Sequence, residues 1–156
     1  MTMRSYGCSG HIDLRRIPDF SERTVREKIR AHFSEGGDGV LYCGMADGAD
    51  EIFRQEAVRC GIKISAVLPK PKEEFALEHA DKDAFFQALA QADRLIECDG
   101  YKSCTDYIVA ECDELLLLWD GVRTPLEADD GTPINVGGTY YALTVARASE
   151  KPITLF

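Results

Sequence analysis

Two aspartates in a glycine-broken turn, Asp47 and Asp50, are the side chains of this chain best suited to chemistry. The turn (44–48) follows a β-rich run and precedes apolar residues at helical spacing, so it predicts a strand, a tight loop and a helix N-terminus. Such a loop leaves backbone N–H groups and the positive end of the helix dipole at the carboxyl edge of a sheet, where anions bind. Asp47 is placed to cap the helix, and Asp50 to complete a capping box. Because two carboxylates repel a phosphate, we expect this turn to hold ribose hydroxyls or a base edge.

Three other loops carry residue types that suit a ligand site. Ser9-Gly10-His11 follows the first predicted strand, where His11 is placed to contact a phosphate or sugar; a plain turn with a solvated histidine is the alternative. Asp120-Gly121 follows the most apolar run of the chain. Gly137-Gly138-Thr139 opens the last predicted helix with no carboxylate in its first turn. That helix start is therefore the candidate phosphate cradle.

Composition limits the partners of the chain. Its net charge is −9, from 18 Lys+Arg against 27 Asp+Glu, which disfavours a large basic surface for a nucleic-acid backbone. Lys70 and Lys72, in a proline-rich turn, are the local cations best placed for a phosphate, although such lysines are more often solvated. No stretch approaches the roughly 20 apolar residues of a membrane span, and the N-terminus lacks the apolar core of a signal peptide. We therefore predict a cytoplasmic protein with no membrane partner, forming one domain over residues 1–156.

Six cysteines raise the alternatives of a disulfide framework or a zinc site. None forms a C-x-x-C pair, and Cys43 and Cys60 occupy positions that suit small buried residues. The pattern favours reduced structural thiols, and we predict no metal site.

Strand and helix patterns alternate along the whole chain and would position these loops. Strands are predicted at 4–8, 40–43, 62–68, 94–98, 115–119 and 151–156, and helices at 21–33, 49–60, 73–92 (one or two), 102–112 and 139–149. The run from Leu115 to Trp119 is apolar on both faces, as a central parallel strand requires. Residues 122–136 read as a loop, either a lid or binding loop or a poorly ordered one. Alternation of this kind predicts a Rossmann-like three-layer α/β/α domain with a mostly parallel sheet.

Five segments, in this order along nearly the whole chain, carry a resemblance to a known family: Ser9-Gly10-His11-Ile12-Asp13-Leu14, Gly44-Met45-Ala46-Asp47-Gly48-Ala49-Asp50, Val67-Leu68-Pro69, Leu117-Leu118-Trp119-Asp120-Gly121 and Gly137-Gly138-Thr139. They resemble the loop signatures of the SLOG superfamily, the Rossmann-like nucleotide-binding domains related to the DprA, LOG and YpsA proteins. The resemblance implies parallel strands flanked by helices and a pocket for a nucleotide or nucleotide-derived ligand, formed by loops after the first, second and later strands.

Two departures from that pattern bear on activity. The LOG phosphoribohydrolases carry P-G-G-x-G-T-x-x-E, whereas this chain reads Asn135-Val136-Gly137-Gly138-Thr139-Tyr140-Tyr141-Ala142, without the proline, the additional glycine and the glutamate. Glycosidic-bond cleavage needs a carboxylate or a comparable group, so LOG-like hydrolysis is disfavoured. Ile12 stands where many relatives have arginine, which removes one phosphate contact.

Two classes of function remain open from the sequence. The first is a nucleotide-binding or sensing domain, acting alone or as a homo-oligomer, for a nucleotide or an NAD- or ADP-ribose-like ligand; no other cofactor is implied. The second is an enzyme that cleaves an N-glycosidic or phosphate bond, with Asp50 or Asp120 as its acidic group. A structural role with a vestigial pocket is a third reading, which the glycine-rich loops disfavour. The predicted ligand-binding residues are Ser9, Gly10, His11, Gly44, Met45, Ala46, Gly48, Asp50, Asp120, Gly121, Gly137, Gly138 and Thr139.

Overall fold

Strands and helices alternate in the computed structural model, which describes residues 3–121, 126–127, 133–134 and 138–156. The strands are β1 (Arg4–Gly10), β2 (Gly39–Cys43), β3 (Lys63–Leu68), β4 (Arg94–Glu97), β5 (Glu114–Leu118), β6 (Leu126–Glu127), β7 (Pro133–Ile134) and β8 (Ile153–Leu155). The α-helices are α1 (Glu22–Gly36), α2 (Ala49–Arg59), α3 (Lys72–Phe75), α4 (Lys82–Gln91), α5 (Tyr101–Glu111) and α6 (Gly138–Ala148). Short 3-10 segments lie at Leu14–Arg16 and Ala76–Glu78.

Six of the strands form one parallel sheet in the order β4-β3-β2-β1-β5-β8. The chain builds the sheet outward from β1 through β2, β3 and β4, and then returns to the other side of β1 with β5 and β8. The strand order therefore reverses between β1 and β5, and the carboxyl ends of these two strands border the crevice where α/β sheets bind ligands. The predicted Rossmann-like α/β/α architecture is confirmed.

The interior position of β5 follows from its composition. The side chains of its leucines are buried alternately on the two faces of the sheet. Leu116 and Leu118 pack with α1 and α2, while Leu115 and Leu117 pack with α5 and α6. A strand that is apolar on both faces needs a helical layer on each side. The prediction of a central strand here is confirmed.

The loop predicted over residues 122–136 is described only at its two short strands. β6 and β7 pair in an antiparallel ladder, with Leu126 opposite Ile134 and Glu127 opposite Pro133. The prediction of a lid or binding loop concerns residues that otherwise lie outside the described ranges, and it stays a prediction.

Gly10 allows the closest approach of backbone at the crevice. A Cβ atom at this position would lie 2.3 Å from the Cβ of Ala49 and 2.5 Å from the carbonyl oxygen of Leu118. Because backbone cannot yield at such distances, only glycine lets the end of β1 pass between α2 and β5. The loops that follow β1 and β5 are thereby held against the start of α2.

Among the described residues, no helix combines the length and the apolar content needed to cross a membrane.

Candidate functional site

A cavity of about 520 Å³ opens at the carboxyl edge of the sheet, beside the point where the strand order reverses. Its described lining comes from the end of β1 and the loop after it, the turn before α2, the turn after β3, and the helices α5 and α6. Its volume lies within the range of small-molecule sites, roughly 300–1,000 Å³.

Asp50 lies in the first turn of α2 and lines this cavity. The residue is only 9% exposed. Its Oδ2 accepts a hydrogen bond from the backbone N–H of Ala46 at 3.2 Å, and the Cys8 thiol lies 3.7 Å from its Oδ1. Burial raises the pKa of Asp50 to about 6, and the hydrogen bonds from Ala46 and Cys8 only partly oppose that rise. A carboxyl group with this pKa is ionised at pH 7.5 and largely protonated at pH 5.

The start of α2 differs from the predicted capping box. Gly48, at φ 81°, is the N-cap residue and provides no side-chain cap. A Cβ atom at this position would lie 2.3 Å from the carbonyl oxygen of Ile12 and 2.6 Å from that of His11. The side chain of Asp47 instead accepts a hydrogen bond from the backbone N–H of Ala80 at 2.9 Å, which ties the turn to the segment before α4. Glycine occupies the N-cap position, before the first helical residue Ala49, because the close approach of the loop after β1 leaves no room for a side chain there. The prediction that Asp47 caps α2 is wrong.

Ser9 and Thr139 bring opposite ends of the chain together in the cavity wall. Their hydroxyl oxygens lie 3.2 Å apart, and both residues line the cavity. Thr139 is the second residue of α6, and Gly138 is the first. The start of α6 therefore faces the cavity at Thr139, while Gly137 lies outside the described residues.

His11 and Asp120 join the loops that follow β1 and β5. The Nε2 atom of His11 accepts a hydrogen bond from the backbone N–H of Asp120 at 3.1 Å and lies 3.3 Å from its Oδ1. Nη2 of Arg16 lies 3.6 Å from Oδ2 of Asp120. Buried His11 therefore positions the loop carrying Asp120, in addition to lining the cavity. Gly121, the next residue, is exposed. Its φ of 78° is a left-handed backbone conformation that favours glycine.

The remaining predicted residues have different positions. Gly44 and Ala46 line the cavity with Asp50. Met45 is buried and faces a second cavity of about 270 Å³ against α4, with its carbonyl oxygen 2.6 Å from Nε2 of His79. Of the two glycines predicted to bind ligand in the turn before α2, Gly44 lines the cavity and Gly48 packs beneath the loop after β1.

Arg16 is one of the cavity residues that the sequence did not single out, and it carries a positive charge. It is the only Lys or Arg among the described lining residues, and its side chain is 52% exposed. The favoured lysine, Lys70, instead forms an ion pair with Glu78 at 2.6 Å. The signal that could have identified Arg16 is its position shortly after the Ser9-Gly10-His11 segment, where a 3-10 turn brings it back toward the crevice.

Helix α5 supplies the wall opposite the start of α2. Cys104, Ile108 and Val109 are buried side chains of this helix that line the cavity. Tyr101, at the start of the helix, is held by a hydrogen bond from its hydroxyl to Glu78 and by the ammonium group of Lys70 over its ring. This wall is apolar except for Thr105 and the rim at Tyr101.

The thiols near the cavity are poor nucleophiles. A hydrogen bond with Cys43, together with burial, raises the pKa of Cys8, and burial raises that of Cys104. A thiol with a raised pKa stays protonated at neutral pH and is unreactive. All six cysteines are unpaired, and among the described residues no three His, Cys, Asp or Glu side chains converge as metal ligands.

The strand order, the flanking helices and the position of this cavity define the chain as a Rossmann-like α/β domain. No protein-family model matches the sequence, and no curated protein matches it. The similarity to solved structures is strong in fold and low in sequence.

DNA processing protein A (DprA) of Streptococcus pneumoniae has a TM-score of 0.65 at 13% identity, covering 98% of this chain and 50% of that protein. DprA of Helicobacter pylori, described by its mode of binding single-stranded DNA, has a TM-score of 0.63 at 16% identity, covering 99% of this chain and 65% of that one. The molybdenum cofactor binding protein of Rippkaea orientalis has a TM-score of 0.62 at 16% identity, covering 99% of this chain and 77% of that one. This chain thus spans half the length of the first of these proteins.

Proposed function

We propose that this chain is a small-ligand-binding domain whose ligand carries a phosphate at one end and hydrogen-bond donors at the other, as nucleotides do. The observation that carries the proposal is that a single cavity is lined both by Thr139 at the start of α6 and by Asp50 at the start of α2. The start of α6 combines N–H groups, the positive end of the dipole and no carboxylate in its first turn, which suits a phosphate. Arg16 at the cavity rim supplies a cation for the same group.

The similar proteins bind ligands of two classes. The Rippkaea orientalis protein is described as binding a cofactor, and the Helicobacter pylori protein as binding single-stranded DNA. We favour the small-ligand class because the net charge of −9 opposes a polyanion, whereas one compact phosphate needs only a local site. A nucleotide, an NAD- or ADP-ribose-like compound and a phosphorylated pterin fit this description. Binding without turnover, as in a cytoplasmic sensor or carrier acting alone or as a homo-oligomer, is the form we propose.

A thermal-shift screen tests the proposal directly. The compounds are nucleoside mono-, di- and triphosphates, NAD, ADP-ribose, cyclic nucleotides and a phosphorylated pterin. At least one should raise the unfolding temperature, because a ligand at 100 times its Kd stabilises the native state by about 2.7 kcal/mol. If none does so at millimolar concentration, the proposal is wrong.

Variants then locate the binding. Asp50→Ala and Gly138→Val should each reduce the rise in unfolding temperature that the stabilising compound causes. Asp50→Ala removes a hydrogen-bond acceptor, and Gly138→Val crowds the phosphate end of the site. Glu51→Gln is the matched control, since Glu51 is the neighbouring acid of the same helical turn and lines the second cavity. Loss of the response in Glu51→Gln to the same extent would place the ligand elsewhere.

A hydrolase that cleaves an N-glycosidic or phosphate bond is the second candidate, and the pKa of Asp50 favours it. A cavity carboxyl group with a pKa of about 6 suits a general acid or base near neutral pH. Asp120, held by His11 and Arg16, is the other acidic candidate. Chromatography of the stabilising compound after incubation separates the two functions: released base or phosphate supports the hydrolase, and unchanged compound supports the binding domain.

A further inference from the structure

The ligand end that faces Asp50 can be specified further, and this inference rests on the proposed function. We propose that Asp50 recognises the adjacent ring N–H and amino N–H groups of a 2-amino-4-oxopyrimidine edge, so that the ligand is a phosphorylated guanine or pterin compound. Guanine and pterins share this edge. The argument depends on the unused acceptor positions of Asp50, its apolar surroundings and the geometry of paired N–H donors.

The carboxylate of Asp50 has more acceptor positions than the protein fills. An ionised carboxylate has about four lone-pair sites on two oxygens. Within the described residues, Oδ2 receives one backbone N–H, from Ala46, and Oδ1 receives one weak thiol donor, from Cys8, and neither oxygen has an ion-pair partner. A buried carboxylate with so few donors carries an unfavourable desolvation free energy. A ligand that brings one N–H group to each oxygen would remove that cost.

Gly44 keeps one side of this carboxylate open. A Cβ atom on Gly44 would lie 3.0 Å from Oδ2 of Asp50 and 4.0 Å from Cδ1 of Ile108. The space beside Oδ2 is therefore bounded by the carboxylate, by an apolar side chain of α5 and by the backbone carbonyl oxygen of Val67, which lies 4.0 Å from the same Cβ position. Only a glycine at position 44 leaves that space unoccupied.

The side chains around this space favour a flat ring over a sugar. Cys104 and Ile108 of α5 and Phe75 of α3 line the cavity and are buried. A ribose in such surroundings would bury several hydroxyl groups and a ring oxygen with few partners. An aromatic ring places its apolar faces against these side chains and its polar edge toward Asp50.

Paired donors distinguish one kind of ring edge from the others. Two carboxylate oxygens accept two parallel N–H groups most favourably when the two donor nitrogens are bonded to the same carbon atom. The guanine edge has this pattern, whereas hypoxanthine lacks the amino group. Adenine presents a ring-nitrogen acceptor beside its amino group, and xanthine presents a carbonyl oxygen where guanine has the amino group, so each would turn a lone pair toward the carboxylate. Asp50 therefore selects for the 2-amino-4-oxo edge and against the other purines.

The test measures the affinities of GMP, IMP, AMP, XMP and a phosphorylated pterin for the whole chain at pH 7.5 by isothermal titration calorimetry. GMP, the phosphorylated pterin or both should bind at least tenfold more tightly than IMP and AMP, since a bidentate contact discriminates by about ten- to a hundredfold. The tighter binder of the two shows whether the ligand is a guanine compound or a pterin compound.

Two variants are expected to change the preference among the compounds, which a loss of folding alone would not do. Asp50→Asn presents one acceptor and one donor, so it should lose the preference for GMP and bind XMP more tightly than the wild type does. Gly44→Ala fills the space beside Oδ2 and should weaken the 2-amino compounds at least tenfold, while Glu51→Gln should leave the preference unchanged.

The inference would be overturned if AMP bound as tightly as both GMP and the phosphorylated pterin. It would also be overturned if the Asp50→Asn variant weakened every compound without improving the binding of XMP. If none of the five compounds binds but another phosphorylated nucleoside does, the inference falls and the proposed function stands. If no phosphorylated compound binds at all, the proposed function itself fails.

Discussion

At the scale of single residues, the environment of Asp50 decides what this side chain can do. Its burial in the first turn of α2 raises its pKa to about 6, and Ala46 and Cys8 supply only one strong and one weak donor. The raised pKa means that the ionised carboxylate is less stable in the folded chain than in water. Residues that bind or react with ligands are often kept in such costly surroundings. We therefore expect the ionised carboxylate of Asp50, which is the form proposed to bind the ligand, to lower the free energy of unfolding of the protein without ligand.

Asp50→Asn should be more stable than the wild type at pH 8, and the difference should be about half as large at pH 5. The pKa of Asp50 rises from 3.8 in the unfolded chain to about 6 in the folded one, so the wild-type free energy of unfolding decreases as pH rises through this interval. The full difference amounts to at most about 3 kcal/mol above pH 6. Urea denaturation of both proteins at pH 5 and pH 8 measures it. A variant less stable than the wild type at pH 8 would show that the carboxylate stabilises the fold.

At the scale of elements, a buried acid fastens α2 to α1 on the side away from the cavity. Glu56 of α2 is 0% exposed and accepts hydrogen bonds from Arg26 at 2.9 Å and Arg30 at 2.8 Å, both on α1. Burial raises the pKa of Glu56, but the hydrogen bonds from Arg30 and Arg26 outweigh that effect, so its pKa is lowered overall. Because α2 carries Asp50, this cluster holds one wall of the cavity in place.

Replacing Arg26 and Arg30 together by alanine should lower the free energy of unfolding at pH 7 by about 3–5 kcal/mol, because a buried carboxylate loses its main partners. Since the pKa of Glu56 is depressed in the folded chain, its contribution is present above pH 4.5 and is lost as pH falls through the folded value. The difference between variant and wild type should therefore shrink at pH 3. Chemical denaturation at both pH values measures it.

Arg23→Ala is the matched control on the same helix. Arg23 pairs with Glu27 at 3.2 Å, but its side chain is 91% exposed, so its loss should change stability by less than about 1 kcal/mol. A double variant no less stable than this control would show that the buried cluster does not hold α1 and α2 together.

At the scale of the whole molecule, the net charge bears on whether this chain binds nucleic acid. The fold is similar to that of DprA from Helicobacter pylori, which is described by its binding of single-stranded DNA. The net charge of −9 works against a polyanion at long range, whatever the fold. We expect the charge to decide, because affinity for nucleic acid depends mainly on contacts with phosphates.

The chain should not bind a fluorescent oligothymidylate at 150 mM salt. Fluorescence anisotropy at several salt concentrations provides the measurement, with the Helicobacter pylori protein as the positive control. A Kd in the micromolar range or below that weakens with added salt would contradict this prediction and would indicate a local basic surface that the overall charge conceals.

Most of the elements were predictable because their signals are local. The period of apolar residues, the glycine-broken turns and the doubly apolar run at Leu115–Trp119 predicted the alternating strands and helices and a central strand, which the structure confirms as β5. The cap of α2 was not predictable in the same way. Aspartate is a residue type that often caps helices, but the N-cap residue of α2 is Gly48, because the loop after β1 approaches too closely for a side chain at that position.

The sequence by itself determined which segments become strands and helices, and which loops carry glycine, hydroxyl and carboxylate groups. Only the tertiary structure decided which of those groups meet. Ser9 contacts Thr139, and His11 contacts Asp120, across more than a hundred residues, because the strand order reverses at β1 and brings distant loops to one edge of the sheet. The burial that raises the pKa of Asp50 likewise comes from strands and helices remote in sequence. Local patterns act over a few residues, whereas packing sets distances, burial and charge environment, and these determine the chemistry of the site.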